Sequence, residues 1–140
     1  MAHPKMYEDE DRHLAMLREL CLAFPEARER VSHGRPNFYA RVTFAYYGGS
    51  VKNPEPGGPM TPYDHAVLFR PSVEDRPALE QDPRTFVPAY LGSHGWLGLD
   101  LDAAPVDRQE VAELVDASYR EVSGPRLVRL LDEAGSPADR

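Results

Sequence analysis

The chain has 140 residues, with 16 lysines and arginines against 23 aspartates and glutamates, for a net charge of −7. That length predicts one domain with its own core, and that charge disfavours long-range attraction to a polyanion, so any nucleic-acid contact needs a local basic patch. Fourteen prolines argue against long uninterrupted helical bundles, and the single cysteine, Cys21, excludes an internal disulfide and any cysteine-based zinc site.

The first segment, MAHPKMYEDEDRH, turns acidic where a secretion signal would turn apolar, and nowhere do eighteen apolar residues run together. A soluble cytoplasmic protein is expected. From about residue 8, Leu14, Leu17, Cys21 and Phe24 recur three or four apart, which predicts a helix with Glu8, Asp9, Glu10 and Asp11 at its positive end. Pro25 ends it, and Cys21 reads as a small core residue rather than a reactive thiol.

Between residues 28 and 47 the period changes to two. In NFYARVTFAYY an unbroken strand puts Phe38, Ala40, Val42, Phe44 and Tyr46 on one face and Tyr39, Arg41, Thr43, Ala45 and Tyr47 on the other. RERVSHG before it and DHAVLFR at 64–70 read as shorter strands, and the short connections predict an antiparallel meander. Four glycines and four prolines within residues 48–62 predict a long hairpin loop there.

Residues 71–83 read as a short surface helix capped by Ser72, and TFVPAYL as a strand with an edge or bulge at Pro88. SHGWLGLDLD, residues 93–102, alternates as a strand. Leu97, Leu99 and Leu101 then face the helices while Trp96, Gly98 and Asp100 face away, so the indole is half-exposed and either packs on a neighbouring aromatic or meets a ligand. Asp107 and Glu110 are spaced as a capping box before a stripe of Val111, Leu114, Val115, Tyr119 and Val122, the best-marked helix of the chain. A shorter helix follows, with Pro125 near its start and Gly135 past its end, and residues 136–140 are expected to fray. The order predicts a single α+β domain over 1–140, one antiparallel sheet with the N- and C-terminal helices packed on one face.

No spacing amounts to a catalytic or metal signature. His33, His65 and His94 are dispersed, the serines lack a glycine-flanked elbow, and the glycines of 48–58 are not followed by a phosphate-binding lysine with serine or threonine. Neither enzyme activity, metal nor cofactor is expected. Electrostatics offers more: residues 28–41 carry four arginines against one acid, a local +3 in a chain of −7. Such a face is either an ordinary solvated sheet surface or one on which arginine and tyrosine hold phosphates and stack bases.

With LCLAFPEARERVSHGRPNF, HGW and LVDASY in order, the chain resembles the MmcQ/YjbR family of small bacterial proteins over about residues 14–123. The motifs fall on Phe24-Pro25, Gly34, Phe38, Phe44-Ala45, Arg70, Pro88, His94-Gly95-Trp96, Val115-Asp116 and Ser118-Tyr119. Resemblance to that family implies a CyaY-like fold with a double-wing arrangement of hairpins, and DNA binding without established catalytic residues. One departure is that Arg41, Val42 and Thr43 stand where the family often places a glycine and a lysine before its Phe-Ala pair. Two functions are therefore in view. The first is a DNA-binding module, weak and salt-dependent, that uses Arg35, Tyr39, Arg41, Lys52 and Arg70. The second is a small-molecule or protein-binding module with a pocket at His94 and Trp96. In either case a monomer is expected.

Overall fold

A computed structural model describes residues 4–140. Four helices, α1 (Arg12–Leu22), α2 (Arg76–Glu80), α3 (Arg108–Val122) and α4 (Pro125–Ala134), accompany one antiparallel sheet. Its strands are β1 (Arg28–Ser32), β2 (Arg35–Tyr39), β3 (Thr43–Val51), β4 (Thr61–Phe69), β5 (Thr85–Phe86) and β6 (Leu97–Asp100), in the order β1-β2-β3-β4-β6-β5. This is the expected α+β arrangement. No helix among the described residues is long and apolar enough to cross a membrane.

The main core lies between the helices and one sheet face. Leu14, Leu17, Leu20 and Cys21 of α1 and Val111, Val115 and Tyr119 of α3 bury against Phe38, Ala45, Tyr47, Val67, Phe69, Leu97 and Leu99. Cys21 is a core residue, its thiol pushed well up by burial. Phe24, Phe44 and Tyr119 form an aromatic cluster with ring centroids 5.0 to 5.6 Å apart, and the Tyr119 hydroxyl donates to the Pro25 carbonyl at 2.8 Å.

Helix α1 starts later than its acidic lead-in suggests, because Asp11 is the N-cap: its carboxylate accepts from the His13 N–H at 2.9 Å. The same carboxylate accepts from the Tyr47 hydroxyl and lies 3.6 Å from His65 Nε2, while His65 Nδ1 bonds Asp102 at 2.8 Å. Thus the start of α1, β3, the middle of β4 and the turn after β6 are tied by one polar cluster.

The unbroken strand over 37–47 is not what forms. A turn at 40–42 divides β2 from β3, and the register moves from Phe38↔Ala45 to Tyr39↔Thr43, which leaves Phe44 as an extra residue. Such a bulge turns two successive side chains to the same side. Phe44 and Ala45 both enter the main core, and every later residue changes face: Tyr47 is buried under α1 and Tyr46 points outward.

The loop over 48–62 is also shorter than its composition predicts, because β3 runs on to Val51 and β4 begins at Thr61. Gly48 makes this possible at φ +82°, where a Cβ would fall 2.3 Å from Arg35 Nη1. Ser72 does not cap α2; its hydroxyl accepts from the Asp75 N–H in the preceding turn, and Asp75 is the N-cap. The strand expected at 85–91 is cut to two residues, then gives way to a 3₁₀ turn at Leu91–His94. Asp107 caps α3 through the N–H groups of Gln109 and Glu110, as its spacing predicts. Residues 136–140 are docked rather than frayed: Ser136 and Ala138 are buried, Ser136 donates to Asp116, and Gln109 Nε2 donates to the Ala138 carbonyl at 2.6 Å.

Candidate nucleic-acid interface

The face of the sheet away from the helices is covered in one half and open in the other. Over β4, β6 and β5 a second, smaller core of Ala66, Leu68, Phe86 and Trp96 forms, joined by Tyr46, Tyr63 and Leu91. Trp96 sits on the outer face, as alternation predicts, but it is only 7% exposed, not half-exposed. The large ring finds a partner: Tyr46 meets the indole edge-on at 5.1 Å between centroids. His94 closes the 3₁₀ turn beside Gly95, whose φ of +92° suits glycine. The pocket expected at these two residues is therefore a packed core with an exposed imidazole at its rim.

Over β1 and β2 the outer face carries arginine. Register places Arg28 opposite Tyr39, Arg30 opposite Asn37 and Ser32 opposite Arg35, all on the side away from the helices. Glu29, the one acid of this hairpin, points the other way and is held by the Arg18 guanidinium of α1 through two bonds of 2.7 and 2.9 Å. Pairing that carboxylate's charge against α1 takes it off the arginine face.

Asn37 organises the face. Fully buried, its Oδ1 accepts from Arg30 Nε at 3.1 Å and from the Thr43 hydroxyl at 3.1 Å, and its Nδ2 donates to Ser32 Oγ at 2.9 Å. Arg30 also donates to Thr43 Oγ1 at 3.0 Å, and its guanidinium lies 4.1 Å from the Tyr39 ring centroid. Arg28 is exposed and makes no ion pair among the described residues. Beside it, Glu26, Ala27, Arg28, Tyr39 and Ala40 line an open groove of about 500 Å³. At its far wall Arg126 pairs with Glu26 at 2.8 Å and holds that exposed carboxylate below its usual range.

The five basic and aromatic candidates do not converge. Arg35 and Tyr39 share the outer face of β2, with Arg35 bound to Asp64 at 3.0 Å. Arg41, expected on the same face, is in the turn after β2 and donates to the carbonyls of Ser123 and Val122 at 3.2 and 3.1 Å, closing the C-terminus of α3. Tyr47, expected beside it, is buried on the helix side for the bulge reason given above. Arg70 is exposed just beyond β4, near Gly95 and Arg76, and Lys52 begins the β3–β4 loop with its ammonium 4.9 Å from the Tyr90 ring centroid. Arg28 and Arg30, the exposed arginines of this face, are not among those five. The signal for them is the alternation in RERVS, which separates two arginines from the glutamate between them.

Among the described residues no group of three or more histidine, cysteine, aspartate or glutamate side chains is placed to hold a metal. The molecule is thus a small α+β domain whose helix-free sheet face is half sealed by a second core and half lined by arginine. The chain belongs to the YjbR family, whose model matches residues 22–121. No curated protein matches it.

Proposed function

We propose that this domain binds nucleic acid through the outer face of the β1–β2 hairpin. The observation that carries the reading is the segregation of charge in that hairpin: Arg28 and Arg30 on the outer face, beside an Arg35 already paired with Asp64, and Glu29 on the inner face and paired with Arg18. In a chain of net charge −7 such a face gives the short-range attraction to phosphate that the whole molecule lacks. Arg28 is the foremost phosphate contact, Arg30 is held in place by Asn37 and Thr43, and Arg70 extends the basic surface along the end of β4. In this reading the domain is a binding module and not a catalyst, its affinity is weak and falls steeply with salt, and it acts as a monomer. The other reading, a ligand pocket at His94 and Trp96, is less favoured because the indole is buried against Tyr46.

Fluorescence anisotropy of labelled DNA titrated with protein at low salt tests this. Arg28→Ala and Arg30→Ala should each lower the slope of log affinity against log salt by about 0.7 to 0.9, the release expected for one phosphate contact. Arg41→Ala should leave that slope as it is, since its guanidinium is committed to α3. Absence of binding at about 20 mM salt, where counterion release is strongest, would remove the proposal.

A further inference from the structure

We propose that Tyr90 is a stacking platform for an unpaired base, so that the nucleic acid taken by this domain is single-stranded; this rests on the function proposed above. Tyr90 is 69% exposed and, among the described residues, is the one tyrosine of the exposed large apolar side chains. Tyr46 packs on Trp96, Tyr63 on Phe86, and Tyr39 lies under Arg30; Tyr90 has only the Lys52 ammonium over its ring, at 4.9 Å, and stays largely open to solvent.

Its exposure is imposed by the backbone. At φ 67° and ψ −53°, with the Leu91 N–H donating to the Ala89 carbonyl at 2.8 Å, Tyr90 is the central residue of a γ-turn of the rare, strained kind. A residue with a side chain adopts this conformation only when its surroundings hold it there, and such positions cluster where a ligand is clamped. The surroundings do hold it. The Ala89 N–H donates to the Ser50 carbonyl at 2.7 Å, the Gly92 N–H to the Pro88 carbonyl at 2.8 Å, and Ser93 Oγ to the Tyr90 carbonyl itself at 3.0 Å. The turn sends Leu91 onto the outer core, but the Tyr90 ring itself packs into neither core.

The chemistry of the spot fits a nucleotide. A flat aromatic ring takes the π-face of any base on the side opposite Lys52, whose ammonium lies over the ring at 4.9 Å and supplies a phosphate contact. The turn is pinned to Ser50, seven residues along β3 from Thr43, the partner of Tyr39. With Phe44 left out as the bulged residue, six steps of about 3.3 Å put the two aromatic positions roughly 20 Å apart along the sheet, a span one extended strand of several nucleotides can follow. Bases already stacked within a duplex have no face to offer the ring.

Three labelled probes test this: a fifteen-residue oligothymidine, an abasic strand of equal length and charge, and a duplex of fifteen base pairs. Wild-type protein should hold the oligothymidine more tightly than the abasic strand. Tyr90→Ala should erase that difference, a loss of about five- to 160-fold on the scale of one stacked base, whereas Tyr90→Phe should retain it. Near-ultraviolet circular dichroism of the alanine variant checks that the fold is kept. Equal affinity of the wild type for oligothymidine and abasic strand, or an alanine variant that still prefers the bases, overturns the stacking role. If salt-steep binding that depends on Arg28 persists in that case, the function proposed above survives. If none of the probes binds, both fall.

Discussion

Replacing Ser118 with alanine tests how the helices are joined to the sheet. The Tyr46↔Leu68 pairing, continued by two residues, sets Phe44 opposite Arg70, just where β4 ends and the bulge has displaced β3. There the ladder passes through a side chain: the Arg70 N–H donates to Ser118 Oγ at 2.9 Å, and the Ser118 hydroxyl donates to the Phe44 carbonyl at 2.7 Å. Ser118 is fully buried, so water is not at hand to replace the hydroxyl. Alanine would remove two hydrogen bonds, each about 1 kcal/mol net, and strand a backbone donor and acceptor at roughly 1 to 3 kcal/mol for each group left unsatisfied. Allowing for partial relaxation, a loss of about 2 to 4 kcal/mol is expected, a large part of the roughly 5 to 15 kcal/mol that holds such a domain together. Urea unfolding followed by far-ultraviolet circular dichroism should show a lower midpoint with an unchanged slope. A loss under about 0.5 kcal/mol would mean that the hydroxyl contributes little to the continuity of the sheet, and the reasoning would fail.

Two further outcomes follow from the packing and the charges. Gly98→Ala would place a methyl 2.3 to 2.7 Å from carbons of the Phe86 ring, which is stacked on Tyr63 at 4.1 Å, so the outer core must shift at a cost of about 1 to 3 kcal/mol. Thermal unfolding should register the loss and Trp96 emission should move to the red; a variant as stable as the wild type would show that Phe86 is not held in place. His65, bonded to Asp102 and further favoured as a cation by Asp11 and Asp64 against partial desolvation, has its pKa raised above 6.5. Its stabilising effect is therefore complete below the unfolded value and is lost as pH rises through the folded one. The melting temperature of wild type relative to His65→Gln should accordingly be highest near about pH 5.5 and decline toward about pH 8; a difference independent of pH would exclude the ion pair as its source.

Local rules served well where a residue's role depends on its neighbours in sequence. Asp107 caps α3, Pro25 follows α1, and Leu97, Leu99 and Leu101 face the main core because a short strand cannot lose its alternation. The family motifs are legible for a related reason: many of them lock the fold. Phe24 and Tyr119 share one aromatic cluster with Phe44, Asp116 receives Ser136 of the docked tail, Ser118 bridges two strands, and Trp96 anchors the outer core. What local pattern could not reveal is the bulge at Phe44. One extra residue leaves no compositional mark, yet it exchanges the faces of Tyr46 and Tyr47 and, with the turn at 40–42, takes Arg41 off the sheet. The docking of residues 136–140 likewise depends on Asp116 and Gln109, which are distant in sequence. Nothing in TFVPAYL announces the γ-turn that exposes Tyr90.

The sheet is a wall shared by two cores of unequal depth. The larger holds both terminal helices, whereas the smaller is four buried side chains under the segment that runs from Phe86 to Trp96. Regions with few buried contacts open at lower free energy than the molecule as a whole. Amide protons of residues 86–96 should therefore exchange by a sub-global opening, while those at the centres of β3, β4 and α3 wait for complete unfolding. Because that segment also carries the Tyr90 turn, a bound strand that pins it would slow exchange there first, and so report its own position.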